Sequence, residues 1–491
     1  GGFTVSAAVA DSEIRLFGNI DVAVPDDDAA HPYVIEVPTV VSSDLTITIA
    51  SNVTVAMTGG LSGIGSLTMT GVNGSGMMYG YNDREGGLVL ENPRISGKIE
   101  HKLGGGWLTL RGDVGCPGDG NAIYFDYSRY VNGHNGDNGV FNGSLTVADG
   151  ATFHKPVEIS GVGQIGGISD SWFRFEAGST NVFRELVKSP VSVSFRAGNN
   201  AQVVFEKGCY VEWGSLFLNG SAFDEASAPC YIFNGPVRLD APDHHLSSFR
   251  AVKFEFRCAG SYSRLFFAVA KSRCTFGADE AFTDTGVLFS DPDGRFGLGT
   301  TRQTFKWMSS GAVKDFKADG GRQWGTISGT AATLAISPGV PDEGMLSVTN
   351  CGTQITGWVK LVKSGDGFHR LLARDYESYG DVEVSGGTLV FDPGATWLNG
   401  TNVIVNGTGT LKTGAKGTFG RDCVLSADGD GWTIDLTGNQ RVSSFWVDGV
   451  KMPSGTYGSS ASSATDKTLS THFAGTGVIT VPNKAMRIVV R

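Results

Sequence analysis

The sequence predicts an all-β chain wound as an elongated, right-handed parallel β-helix, or β-solenoid. Three observations carry this. Glycine supplies 71 of 491 residues, about twice the usual ~7%. Val, Ile, Thr and Phe recur in short alternating runs, and long Ala-, Leu-, Glu- and Lys-rich stretches at helical spacing are missing. A strand–corner–strand unit then repeats along the chain, and the crossover rule for parallel strands gives it a right hand.

The repeat reads apolar, any, apolar, a corner with Gly or Asn, then apolar, any, apolar. It runs Ile47 to Val55, Leu145 to Phe153, Val203 to Val211 and Leu389 to Trp397, with weaker copies from Phe173, Val193 and Cys274. Alternation puts one face of each short strand into a core. Gly or Asn takes the left-handed backbone that turns the chain sharply. A second element, Gly-x-Gly-x-apolar, follows at Gly63, Gly161 and Gly407, with a late copy at Gly475. No helical pattern follows any copy, so these are flat corners rather than dinucleotide loops. The spacing implies a circuit of roughly 20–25 residues. About 22 turns at ~4.8 Å each would give a rod on the order of 100 Å. The organisation this predicts is N-terminal capping strands over 1–44, solenoid over 45–485 with an irregular stretch around 240–348, and a tail over 486–491.

Composition excludes several classes. There are only 16 prolines and no strict three-residue glycine period, so the chain is not collagen. Hydrophobic residues make up 40%, enough for a core. The formal net charge is −10 and no basic patch stands out, which argues against a nucleic-acid partner. Apolar runs are too short for a transmembrane helix. No basic segment followed by an apolar core opens the chain, so a secretory leader is read as absent or already removed. None of the seven cysteines forms a CxxC pair, so no zinc or thioredoxin-like site is expected, and no metal or cofactor is assigned.

The C-terminal part resembles a known family. Val359-Lys360-Leu361-Val362-Lys363-Ser364-Gly365-Asp366-Gly367, then Tyr379-Gly380-Asp381-Val382-Glu383-Val384-Ser385-Gly386-Gly387-Thr388-Leu389, are similar to the autotransporter-associated β-strand repeat. Its pattern is a "LxKxGxG" strand, a spacer and "YxGxxxVxxGTL". Gly294 to Gly299 with Gln303-Thr304-Phe305, and Gly325 to Gly329 with Ala332-Thr333-Leu334, resemble the preceding strands of that unit. Val447-Asp448-Gly449, Gly455 to Gly458 and Phe473 to Val481 resemble its closing segment. The likeness covers roughly 290–481. It implies a passenger-like β-solenoid in an extracellular, cell-surface or secreted setting, and it brings no catalytic residues. Phe368-His369-Arg370-Leu371-Leu372 stands where the family has a glycine-rich strand. The sequence shows no outer-membrane barrel, which leaves a released fragment, a secreted protein or a fibre subunit as readings.

The richest chemistry lies between Arg111 and Asn138. Asp119, Tyr124, Asp126, Tyr127, Arg129, Tyr130 and His134 interleave aromatics with charges. Such a set can line a sugar groove, with rings on pyranose faces and carboxylates accepting hydroxyl hydrogen bonds. It can equally be a capping loop whose tyrosines pack on the coil. Catalysis would need two carboxylates at a fixed separation, and no spaced acid/base pair emerges, so no catalytic residue is assigned. Arg111-Gly112-Asp113 is a tripeptide that chance readily supplies in a glycine-rich chain. Asp243-His244-His245 places adjacent imidazoles on opposite faces of an extended strand, a poor metal site. Asp291-Pro292-Asp293-Gly294 and Asp428-Gly429-Asp430-Gly431 lack the rest of a calcium loop and read as turns. Asn-x-Ser/Thr triplets such as those at Asn52, Asn142 and Asn399 coincide with corners, where Asn serves the turn.

Cys209 and Cys230 are separated by close to one circuit, so stacking on adjacent turns would bring them within disulfide range. Cys258 and Cys274 are a weaker pair of the same kind. Reduced, packed thiols are the alternative. The function these features imply is a structural or adhesive solenoid of a bacterial surface. Its partners would be extracellular polymers or further copies of itself, assembled into filaments through open sheet ends. The alternative is a β-helix that binds or degrades polysaccharide, as a lyase or glycoside hydrolase.

Overall fold

The structure is a computed structural model. It describes residues 3–483 apart from 10, 23–30, 50–52, 72–86, 103–106, 119, 127–144, 161–172, 241–244, 248–250, 264, 269–271, 290–292, 311–325, 337–348, 352, 401 and 415. The chain is all-β. The one helical element among the described residues is a single 3-10 turn at Ser470–His472. Two compact units are present: residues 1–258 with 262–264, and residues 259–261 with 265–491.

The first unit is built from three parallel ladders that the chain visits in turn. His31–Ile35, Thr39–Val41 and Leu45–Ile49 make one set. Val53–Met57, Leu61–Gly63 and Leu67–Gly71 make the next, and each strand pairs with its counterpart in register. Where no long loop intervenes, one circuit carries the chain from Tyr33 to Val55, from Leu88 to Leu108 and from Phe173 to Phe195. These steps agree with the circuit length that the sequence repeat implies. The segment before residue 45 already carries this pattern: Phe3 pairs with Tyr33, Ile14 with Thr39 and Ile20 with Ile47.

The corners follow the chemistry of the repeat. Leu145–Phe153 is one bent strand whose halves enter two ladders. At the Val203–Val211 copy, Gly208 turns the chain at φ 87°. A Cβ there would sit 2.0 Å from the Pro236 carbonyl oxygen, so both backbone and space demand glycine. The Gly-x-Gly corners are tight for the second reason: a Cβ on Gly65 would meet Ser43 O at 2.1 Å.

Alternation supplies the core. In Leu45–Ile49 the residues Leu45, Ile47 and Ile49 are buried, with Thr46 and Thr48 facing outward. The densest part is a column of phenylalanines on the second ladder, where Phe153, Phe183, Phe205, Phe233 and Phe256 align rung by rung. Successive ring centroids lie 4.5, 5.1, 4.9 and 5.1 Å apart, and adjacent planes differ by at most 9°.

The second unit repeats the scheme. Arg295–Gly299, the first half of Thr326–Ile336 and the first half of Gln354–Lys363 form one ladder. Val382–Val384, Asn402–Asn406, Val424–Asp428 and Ser444–Val447 extend another. Phe368–Leu371, Thr388–Phe391, Thr410–Thr413, Thr433–Leu436 and Phe473–Gly475 form the third. Near its end two ladders receive antiparallel strands: Val450–Lys451 on Ser444–Val447, and Gly455–Tyr457 on Ile479–Val481.

Two lysines are buried at corners. Lys155 donates to Ser96 O at 2.8 Å and Gly97 O at 2.9 Å. Lys363 donates to Ser364 O, Gly365 O and Gly386 O at 2.7–3.0 Å. Each ammonium gathers carbonyl oxygens that a sharp corner leaves without backbone donors. Burial lowers the Lys363 pKa to about 8.

Candidate functional site

Parallel in-register strands turn sequence positions into rows. On the outward face of the third ladder, Glu100 lies opposite Tyr124 and Tyr124 opposite Glu158. The row continues through Lys188, Tyr210, Arg238 and Tyr262. All seven are half-buried or exposed. Their strands alternate, so Ile123 and Phe125 beside Tyr124 point into the core and are fully buried.

Local charges hold this row in place. Lys98 Nζ lies 4.4 Å from the centroid of the Tyr124 ring and 3.0 Å from Glu100 Oε1, combining cation–π and ionic contacts. The Tyr210 hydroxyl donates to Asp240 at 3.0 Å. That bond, with lesser help from burial and neighbouring carboxylates, raises the phenol's pKa above its ordinary value.

The corner at Arg111-Gly112-Asp113 joins the first and second ladders. Arg111 Nε donates to Asp149 at 2.9 Å. Asp113 is paired with Arg94 and accepts His154 Nε2 at 2.9 Å. The His154 hydrogen bond, then Arg94, holds the Asp113 carboxyl below its usual pKa. Both charges of the tripeptide are thus engaged within the bent strand Trp107–Val114. An open hollow of about 260 Å³ lies on the first ladder, lined by Thr54, Val89, Thr109, Arg111, Val147 and Glu176 among others.

Of the residues singled out in sequence, Tyr124 stands in the row just described. Asp126 follows it in the strand Ile123–Asp126, opposite Lys102 and Ser160. Asp119, Tyr127, Arg129, Tyr130 and His134 lie outside the described residues, as do Asp243 and His244. Glu100, Glu158, Lys188, Tyr210, Arg238 and Tyr262 carry no signal in the sequence. They sit in separate segments, and only the register brings them to one face. Among the described residues, no group of three or more His, Cys, Asp or Glu is placed to hold a metal ion. Asp428-Gly429-Asp430-Gly431 forms a turn, in which Gly429 N donates to Asp448 Oδ1 at 2.8 Å.

The expected cysteine stacking does not occur. Gln202, not Cys209, pairs with Cys230, and Cys209 pairs with Val237. The segment 221–229 makes this circuit longer than its neighbours. The sequence separation of the two cysteines therefore falls short of one turn, which puts Cys209 on the third ladder and Cys230 on the second. Both are free thiols. Cys274 is also a free thiol, buried opposite Phe296, so the Cys258–Cys274 bond is not formed either. Burial raises the Cys209 and Cys230 pKa values to about 12. Compared with known proteins, the chain matches no family model, no curated protein and no solved structure.

Proposed function

We propose that this chain is a right-handed β-solenoid that acts as a structural or adhesive element outside a bacterial cell and contacts extended polymers along its ladders. The observation that carries this is the row Glu100–Tyr124–Glu158–Lys188–Tyr210–Arg238–Tyr262. It places aromatic and charged groups at one-rung intervals of ~4.8 Å, a periodic surface suited to a periodic partner. The autotransporter-associated likeness of 290–481 supports the same setting. Filament assembly belongs to the proposal through pairing of open ladder ends. Electron microscopy of the native material tests the reading. Rods or fibres on or shed from the cell surface are expected, and compact particles confined to the cell interior would refute it.

A second reading, a polysaccharide-degrading β-helix, is favoured by Glu100 and Glu158 flanking Tyr124 on one face. The two are two rungs apart, ~10 Å at the backbone, at the upper edge of the ~6.5–9.5 Å between carboxyls that an inverting glycosidase uses. Against it, Glu100 is already paired with Lys98 at 3.0 Å, which favours its charged form, whereas a general acid needs a raised pKa. A product ladder from a polysaccharide, lost in Glu100→Gln and Glu158→Gln, would establish this reading over the structural one.

A further inference from the structure

We propose a carbohydrate-binding platform in the second unit, formed by Trp358 and Tyr379. Their ring centroids are 5.3 Å apart with planes inclined by 30°, and they are 57% and 47% exposed. Four buried aromatics of this chain have their polar atoms partnered: Tyr231 OH donates to Asn219 O, Tyr376 OH to Leu372 O, Tyr457 OH to Pro453 O and Trp397 Nε1 to Gly380 O. The Trp358 N–H and the Tyr379 hydroxyl have no partner among the described residues.

The platform is held rigidly from beneath. Ser378 is fully buried. Its hydroxyl donates to Val359 O at 2.7 Å, lies 3.2 Å from Gly357 O, and accepts from Gly380 N at 3.2 Å and Val359 N at 3.3 Å. One side chain thereby ties the backbone on both sides of Trp358 to the backbone after Tyr379. Trp397 secures the Gly380 carbonyl at 2.9 Å, and Tyr379 N donates to Gly357 O at 2.8 Å. With the backbone beneath them fixed in this way and the two rings in contact with each other, less freedom is left to lose when a ligand stacks on them.

Size and charge select the occupant. The two rings expose roughly 200 Å², far below the ~800 Å² per partner of a stable protein interface. Glu377 and Asp381 lie close on either side of Tyr379 in sequence, and the chain carries a net charge of −10, which disfavours a polyanion. The fitting ligand is a neutral pyranose chain with equatorial hydroxyls. Its axial hydrogens make an apolar face for the rings, and its hydroxyls take up the free N–H and O–H. This goes beyond the row in the first unit, on which it does not depend.

Affinity electrophoresis of the full chain in gels containing hydroxyethyl cellulose, xylan, mixed-linkage β-glucan or alginate tests the proposal. Retardation by at least one neutral polysaccharide is expected, about tenfold weaker in Trp358→Ala and in Tyr379→Ala. Trp213→Ala, which removes an isolated exposed indole in the first unit, is expected to leave it unchanged. Circular dichroism checks that the variants keep their fold. Retardation by alginate alone, by none of the four, or equally in the wild type and both platform variants would overturn the proposal.

Discussion

Phe205 occupies the middle of the phenylalanine column and is fully buried. Its ring stacks on Phe183 at 5.1 Å and on Phe233 at 4.9 Å, with interplanar angles of 4° and 6°. Phe205→Ala leaves a cavity walled by rigid rungs that cannot collapse, so the expected cost is about 3–5 kcal/mol. Phe205→Leu keeps most of the apolar volume but loses two stacked contacts, each worth ~0.5–1.5 kcal/mol, for a total of about 1–3 kcal/mol. The order wild type, Leu, Ala should therefore appear in guanidinium unfolding followed by far-UV circular dichroism. In a repetitive stack the damage passes to neighbouring rungs, so limited proteolysis of the Ala variant should open between Phe183 and Phe233. Phe17→Ala, at a position 72% exposed, should stay within ~0.5 kcal/mol of wild type. If Phe205→Leu costs no more than the exposed Phe17→Ala control, stacking adds nothing beyond apolar volume. If Ala costs less than ~1 kcal/mol, the column does not hold the coil together.

The buried histidines make the fold acid-sensitive. Burial lowers the pKa of His101 from 6.5 to about 4 and that of His369 to about 3, the latter with a smaller push from Lys363. The unfolded chain binds these protons below pH ~6.5 while the folded chain does not, so stability falls as pH drops from ~6.5 toward 4. His101 alone accounts for about 3 kcal/mol of that loss. His101→Met, between Met69 and Phe125, should roughly halve the dependence that the two histidines give between pH 6.5 and 4 in urea titrations, and an unchanged slope would refute the assignment. Thiol labelling gives a further check. With pKa values raised to about 12 by burial, Cys209, Cys230 and Cys423 should react with iodoacetamide only on unfolding. Half-buried Cys116 should be modified first, and mass mapping of a native time course reads the order.

Much of the fold is legible in the sequence because the repeat obeys local rules. The Val203–Val211 pattern names its two strands and its turning glycine before any coordinates, and Gly208 takes the positive φ that the pattern requires. Inward residues such as Ile47, Phe205 and Val211 follow from alternation alone. What a local pattern cannot supply is register. Cys209 and Cys230 read as stacked neighbours because their spacing matches an average circuit, yet the segment 221–229 lengthens that particular circuit and sends them to different ladders. The same limit hides the outward row, since Glu100, Tyr124 and Glu158 become neighbours only through pairings that skip loops of unequal length.

Register also decides what kind of contact each surface can make. A loop residue can move to suit its ligand, but Tyr124, Tyr210 and Tyr262 are fixed by strands on both sides or by a ladder partner, and their spacing is set by backbone hydrogen bonds. Such a face is complementary to partners that repeat, and a single small ligand would use only one rung of it. Trp358 and Tyr379 are built differently. They stand at a corner, where Ser378 replaces ladder bonds with side-chain bonds to Gly357, Val359 and Gly380, and they offer one compact platform rather than a row. On the proposed reading, the ladders would supply extended contact along the first unit and the Trp358 corner a discrete site in the second. Changes to outward ladder residues should weaken polymer contact by small, roughly additive steps. Loss of either ring at the Trp358 corner should remove most of that site's affinity at once.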